Sequence, residues 1–265
     1  MLKNYSVFLW LLKLGALVNA ALLINVGRLP AGAARAPIIL PALVLFAVSA
    51  YRCLFPVRYE DNIVFHDSVL SSIFVTRLLA TFSEVAYVYL LSHVVRLLNV
   101  DQVGWVAVLS WLMVLQVVVS QILVWAAILT EQLEFYFYEE LGWAIIFAAN
   151  TVASAYLYLT VGTLEGKQVL LLLNLLFGAV YLPWQVMHLR FLRANARRSG
   201  VKTGAGSQSI VQRMATGLQR SIRVRNPRCD AESWGGLIGL TWMTAYWATI
   251  IPLWVYYLVR VLMTY

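Results

Sequence analysis

SSIFVTRLLATFSEVAYVYLLSHVVRLL, from Ser71 to Leu98, is apolar for longer than one bilayer crossing needs, yet it carries Arg77 and Glu84 one heptad apart. About 20 apolar residues cross the hydrocarbon core as a helix, so the stretch reads as a membrane span. A charge inside hydrocarbon is costly and tends to face a bundle interior or a wet cavity. Arg77 lies near one end of the span, where a long side chain can snorkel to headgroups. Glu84 lies deeper and requires a proton, a partner or water. Seven residues advance about 10 Å along a helix, so direct contact demands a long reach by Arg77 or a bridging water. Polar residues available in other spans are Lys13, Asn19, Asn150 and Asn174. The expected ligand site is a polar pocket formed by Arg77, Glu84, Asn150 and Asn174, walled by spans three, five and six and open to the inner face.

Six comparable stretches surround this one: Ser6–Val26, Pro37–Phe55, Val103–Leu129, Leu141–Thr163, Gln168–Phe191 and Trp234–Met263. The chain has 265 residues, 62% of them hydrophobic and only 12% charged, which sets it apart from soluble domains. Twenty-residue apolar runs exclude a barrel, whose strands alternate over roughly ten residues. The expected fold is an all-α integral membrane protein, a bundle of about seven transmembrane helices. Residues 1–265 read as a single polytopic membrane domain with a basic loop at 192–233. The first stretch is about twice the length of a signal-peptide core and reads as a retained span despite Ala31-Gly32-Ala33 behind it. The sequon Asn4-Tyr5-Ser6 lies too close to that span to be glycosylated.

Threading follows from the basic residues. From Arg193 to Arg228 the chain holds nine Lys or Arg and no acid. Positive loops stay on the cytoplasmic or matrix side, which places the N-terminus inside and the C-terminus outside. Lys3, Arg52, Arg58 and Arg190 join the nine on the inner side. Arg28, Arg35, Arg96, Lys167 and Arg260 fall outside. The net charge of +8 therefore needs no nucleic acid. Within the basic loop, Ile210, Met214, Leu218 and Ile222 recur every fourth residue between Arg213, Arg220 and Arg223. Such a pattern makes a basic amphipathic stretch able to lie on anionic headgroups, whereas Gly200, Gly204, Gly206 and Gly217 favour a solvated loop. Cys53 and Cys229 suggest no disulfide framework.

Aromatics at Phe135–Tyr138 and at Trp234, Tyr256 and Tyr257 read as interfacial belts. Gly235 and Gly239 read as a small-xxx-small helix contact. Pro41, Pro183 and Pro252 are expected to kink their spans.

The threading brings a second cluster to the inner face: His66, Asp67, Glu139, Glu140 and His188. Imidazole with carboxylate suits zinc or iron, but no metal-binding spacing occurs, so no metal is assigned. His93 and His188 fall at opposite membrane faces, which disfavours axial haem ligation. The seventh span lacks the lysine of a retinal Schiff base and the Asn-Pro-x-x-Tyr of receptors. No Asp-Arg-Tyr follows span three, and no cofactor or family motif emerges. The favoured reading is a membrane bundle that binds or transports a small ligand or ion through a polar intramembrane pocket. The alternatives are a structural or assembly subunit with partner membrane chains, and a membrane-embedded enzyme acting on a lipid or hydrophobic metabolite. The absence of a catalytic signature leans against an enzyme.

Overall fold

The computed structural model describes residues 6–30, 32, 35–161, 167–200 and 209–264. Lys3, Asn4, Tyr5, Ala31, Ala33, Thr163, Lys202, Gly204 and Gly206 lie outside the described residues. In chain order the elements are α1 (Ser6–Gly27), α2 (Ala36–Leu54), β1 (Val57–Arg58), β2 (Ile63–Val64), α3 (Ile73–Leu98), α4 (Gly104–Thr130), α5 (Glu134–Thr160), α6 (Gln168–Gly200), α7 (Ile210–Arg223), β3 (Asn226–Pro227), α8 (Gly236–Met243) and α9 (Ile250–Thr264). Among the described residues, seven helical segments are long and apolar enough to cross a membrane, the last running from Gly239 to Met263. The protein is an all-α, multi-pass membrane bundle. Large apolar side chains such as Leu17, Leu159 and Val180 stand exposed along these helices. Lipid is the solvent that makes such a surface stable, because association with water would cost each of them its burial.

The chain forms two compact units, residues 1–87 with 218–265, and residues 88–217. In the first, α1 packs along α2, and the seventh span packs against both. Leu9, Leu12, Ala16, Val48, Trp234, Leu240 and Trp247 share its core. In the second unit α5 is the middle layer, packing along α4 on one side and α6 on the other. Small residues set these contacts: a Cβ on Gly142 would overlap Ser120 of α4, and one on Gly178 would overlap Thr151 of α5.

Three local outcomes differ from the sequence reading. The seventh span is broken: α8 passes through a π-helical turn at Thr244–Ala248, and Thr249 (φ −133°, ψ −84°) separates it from α9. Thr249 N–H reaches back five residues to the Thr244 carbonyl. The break places Pro252 in the first turn of α9, where its missing N–H costs nothing. By contrast α2 and α6 continue through Pro41 and Pro183. Gly235 and Gly239 do not mediate a helix contact. Gly235 adopts φ +81° at the N-cap of α8, and Gly239 lies against the Trp234 carbonyl, so the pair builds the turn that starts the helix. Finally, α5 begins at Glu134, so Phe135–Tyr138, Glu139 and Glu140 are helical rather than loop residues.

Short strands tie the first unit's loops together. β1 pairs antiparallel with β2 across a turn in which Asp61 and Asn62 both take positive φ, a conformation these residue types tolerate. β2 pairs parallel with β3, and the Arg228 N–H donates to the Val64 carbonyl. The loop after span two and the loop before span seven therefore share one membrane face, as four intervening crossings require.

Candidate functional site: a buried arginine cluster

Ser72 Oγ accepts from the Val75 N–H at 3.4 Å and caps the start of α3. One turn on, Arg77 stands on the same face as Glu84, two helical turns deeper. The long reach is realised without water. Arg77 Nη1 and Nη2 donate to Glu84 Oε1 and Oε2 at 3.1 and 2.9 Å. Both side chains are buried, so Arg77 faces its own helix's carboxylate and does not snorkel to headgroups. This fork-to-carboxylate geometry is the strong, oriented form of an ion pair.

A second arginine stands nearby. Arg52, one of the inner-side charges in the sequence reading, lies in the last turn of α2 and is only 5% exposed. Its Cζ lies 5.3 Å from the Tyr59 ring and 4.9 Å from the Trp247 ring. Arg77 Cζ lies 5.7 Å from the same Tyr59 ring, so Tyr59 is in contact with both cations. Arg52 Nη1 donates to Tyr59 Oη at 3.2 Å and Nη2 to the Val57 carbonyl at 3.4 Å. Arg52 Nε is buried with no hydrogen-bond acceptor, and Ser49 Oγ on the preceding turn and Asn19 Oδ1 are buried with no hydrogen-bond partner. Asn19 belongs to the same neighbourhood, since its Nδ2 donates to the Trp247 carbonyl at 2.9 Å.

Glu84 is engaged by Arg77, Asp67 by Arg225 at 2.9 Å, and Asp230 by the Ser233 N–H and hydroxyl. Asp61 and Glu232 are exposed. Among the side chains described in this unit, which do not include that of Glu60, no carboxylate pairs with Arg52. An arginine does not shed its proton at any ordinary pH. Cation–π contact supplies only about 0.5–2 kcal/mol against a burial cost of several kcal/mol. The cluster therefore presents a buried guanidinium with an N–H donor that lacks an acceptor, beside unengaged hydroxyl and amide oxygens.

The remaining sequence candidates divide between the units. In the first, His66 sits among the Trp10, Phe55 and Phe65 rings, with Lys13 Nζ 2.8 Å from its Nε2. Lys13 also donates to the Leu54 carbonyl. Burial, and secondarily the Lys13 charge, push the His66 pKa below its usual value. The hydrogen bonds from Ser233 hold the Asp230 carboxyl below the usual range. In the second unit, Asn174 Nδ2 donates to Asn150 Oδ1 at 3.4 Å and Ser154 Oγ at 3.1 Å, and all three residues are buried. Gln185 Nε2 donates to Glu140 Oε2 at 2.7 Å, and His188 Nε2 is 3.9 Å from Glu140 Oε1. Glu139 is buried in α5, and its carbonyl accepts from Ser120 Oγ. Among the described residues, no group of three or more His, Cys, Asp or Glu side chains is placed to hold a metal ion.

Sequence reasoning missed Arg52, Tyr59 and Trp247. An arginine in the last turn of an apolar span is the usual mark of a membrane-face anchor. Only the fold turns this one inward. The chain matches no known family model, and no curated protein or solved structure is detectably similar to it.

Proposed function

We propose that this membrane protein binds a small anionic solute within the bundle, at the Arg52–Tyr59–Arg77–Glu84 cluster, as the first step of transporting or sensing it. The observation that carries the reading is Arg52: a buried, permanently charged guanidinium with no carboxylate partner among the described side chains and an unengaged Nε. A carboxylate or phosphate oxygen matches its planar fork, and low local dielectric strengthens the contact. Arg77, already matched by Glu84, holds Tyr59 in place beside it. An intramembrane ionisable group of this kind is by default a functional one.

The orientation that goes with this reading keeps the basic segment before span seven on the cytoplasmic or matrix side, with the N-terminus inside and the C-terminus outside. The four-residue row including Asn150 and Asn174 is not needed for it.

The test is thermal unfolding of the purified chain with acetate, succinate or inorganic phosphate at matched ionic strength. Saturating anion is expected to raise stability, by about 2.7 kcal/mol at a hundredfold excess over Kd. Arg52→Gln is expected to abolish that rise while leaving the unliganded protein as stable or more so, because a buried charge is gone. An Arg52→Gln protein that responds to anions like the parent would refute the site.

A further inference from the structure

The strongest feature outside the arginine cluster is α7. Gly217 lies against the backbone of Leu129 at the end of α4, with no room for a side chain between them, and Ser221, one turn further along α7, is buried. That contact fixes which faces of α7 look outward. Ile210, Val211, Met214, Leu218 and Ile222 form an exposed apolar stripe, with Val211 71% accessible. Arg220 and Arg223 are exposed away from that stripe. Water alone is a poor environment for five apolar side chains in a row on a 14-residue helix.

We propose that α7 is a membrane-surface helix whose apolar stripe enters the headgroup layer and whose arginines read anionic lipid. Three observations single out this occupant. The helix lies in the connection between two membrane spans, and Leu129 and Thr130 end a span where Gly217 touches it, which puts α7 at bilayer-surface level. Its pattern, apolar on one side and basic on the other, is that of helices lying in the interface plane. Its polar side carries arginine and no acid, which complements phosphate headgroups and not a neutral surface.

The test uses the full chain with Cys229→Ser and a polarity-sensitive fluorophore on Val211→Cys, in nanodiscs of phosphatidylcholine with or without phosphatidylglycerol. The fluorophore is expected to report an apolar setting with phosphatidylglycerol and to shift toward a watery one in phosphatidylcholine alone or at high salt. Each of Arg220→Gln and Arg223→Gln is expected to lower the inserted fraction roughly fivefold in anionic discs. The same fluorophore on Gln219→Cys, away from the stripe, is expected to stay in water throughout, so that an apolar signal at Val211 alone reports insertion of one helix face. A Val211 signal identical in the two lipids overturns the proposal. A watery signal in both means a bare helix, and an apolar signal in both means a protein or neutral-lipid cover, and each refutes headgroup reading.

Discussion

Glu84 shows how one carboxylate sets the cost of a charged residue in a span. With it, Arg77 is matched by two hydrogen bonds in a buried setting. Without it, the buried guanidinium loses its two-point carboxylate contact. Glu84→Gln is expected to destabilise the protein by about 3–5 kcal/mol, measured by thermal or denaturant unfolding in detergent. The double change Arg77→Leu with Glu84→Leu is expected to recover most of that loss, because no unpaired charge is left behind. Equal damage from the single and double variants would mean that the ion pair has a role beyond mutual neutralisation. His66 gives a pH dependence of definite sign. Its pKa is lowered on folding, so the folded state favours neutral imidazole, whose Nε2 accepts from Lys13. Stability from this contact is complete above the unfolded value of about 6.5 and is lost as pH falls below it toward the folded pKa. Unfolding midpoints measured across that window should flatten in His66→Phe.

At the scale of elements, helix spacing in the second unit is decided by glycine. A side chain at Gly142 or Gly178 has nowhere to go without moving α4 from α5, or α6 from α5. Gly142→Val and Gly178→Val are each expected to cost about 1–3 kcal/mol through overpacking, read as a lower unfolding midpoint. The exposed Arg225–Asp67 pair joins two loops of the first unit but faces solvent on the Asp67 side, which is 64% accessible. Asp67→Asn is expected to change stability by less than about 1 kcal/mol. The pairing of β2 with β3 and the Trp234 indole, which donates to the Arg228 carbonyl at 2.9 Å, hold those loops instead.

For the whole molecule, the two cysteines provide a natural topology probe. Cys53 is buried and Cys229 is exposed, and both are free. In sealed cells or vesicles of known sidedness, an impermeant maleimide is expected to modify Cys229 only from the cytoplasmic or matrix side. Modification from the opposite side would reverse the proposed threading. Seven crossings also require the two termini on opposite faces, which protease protection of terminal tags checks independently.

What the sequence determined by itself is the solvent, the number of crossings and most helix limits, because these depend on apolar length and on the hydrocarbon's refusal of unpaired backbone groups. Glu84's need for a partner was equally legible, since a carboxylate deep in a span has few alternatives. The four-residue spacing of Ile210, Met214, Leu218 and Ile222 likewise announced α7. Tertiary structure alone decided which polar residues meet. Arg52 looked like a surface anchor until the loop through Tyr59 and the broken seventh span closed over it. The Gly235–Gly239 pair had two physical uses, close packing and turn formation, and only the path of the chain selected the second. Local patterns fix what each segment tolerates around it; they carry no distance between segments, and the charge balance of a buried cluster is a matter of distances.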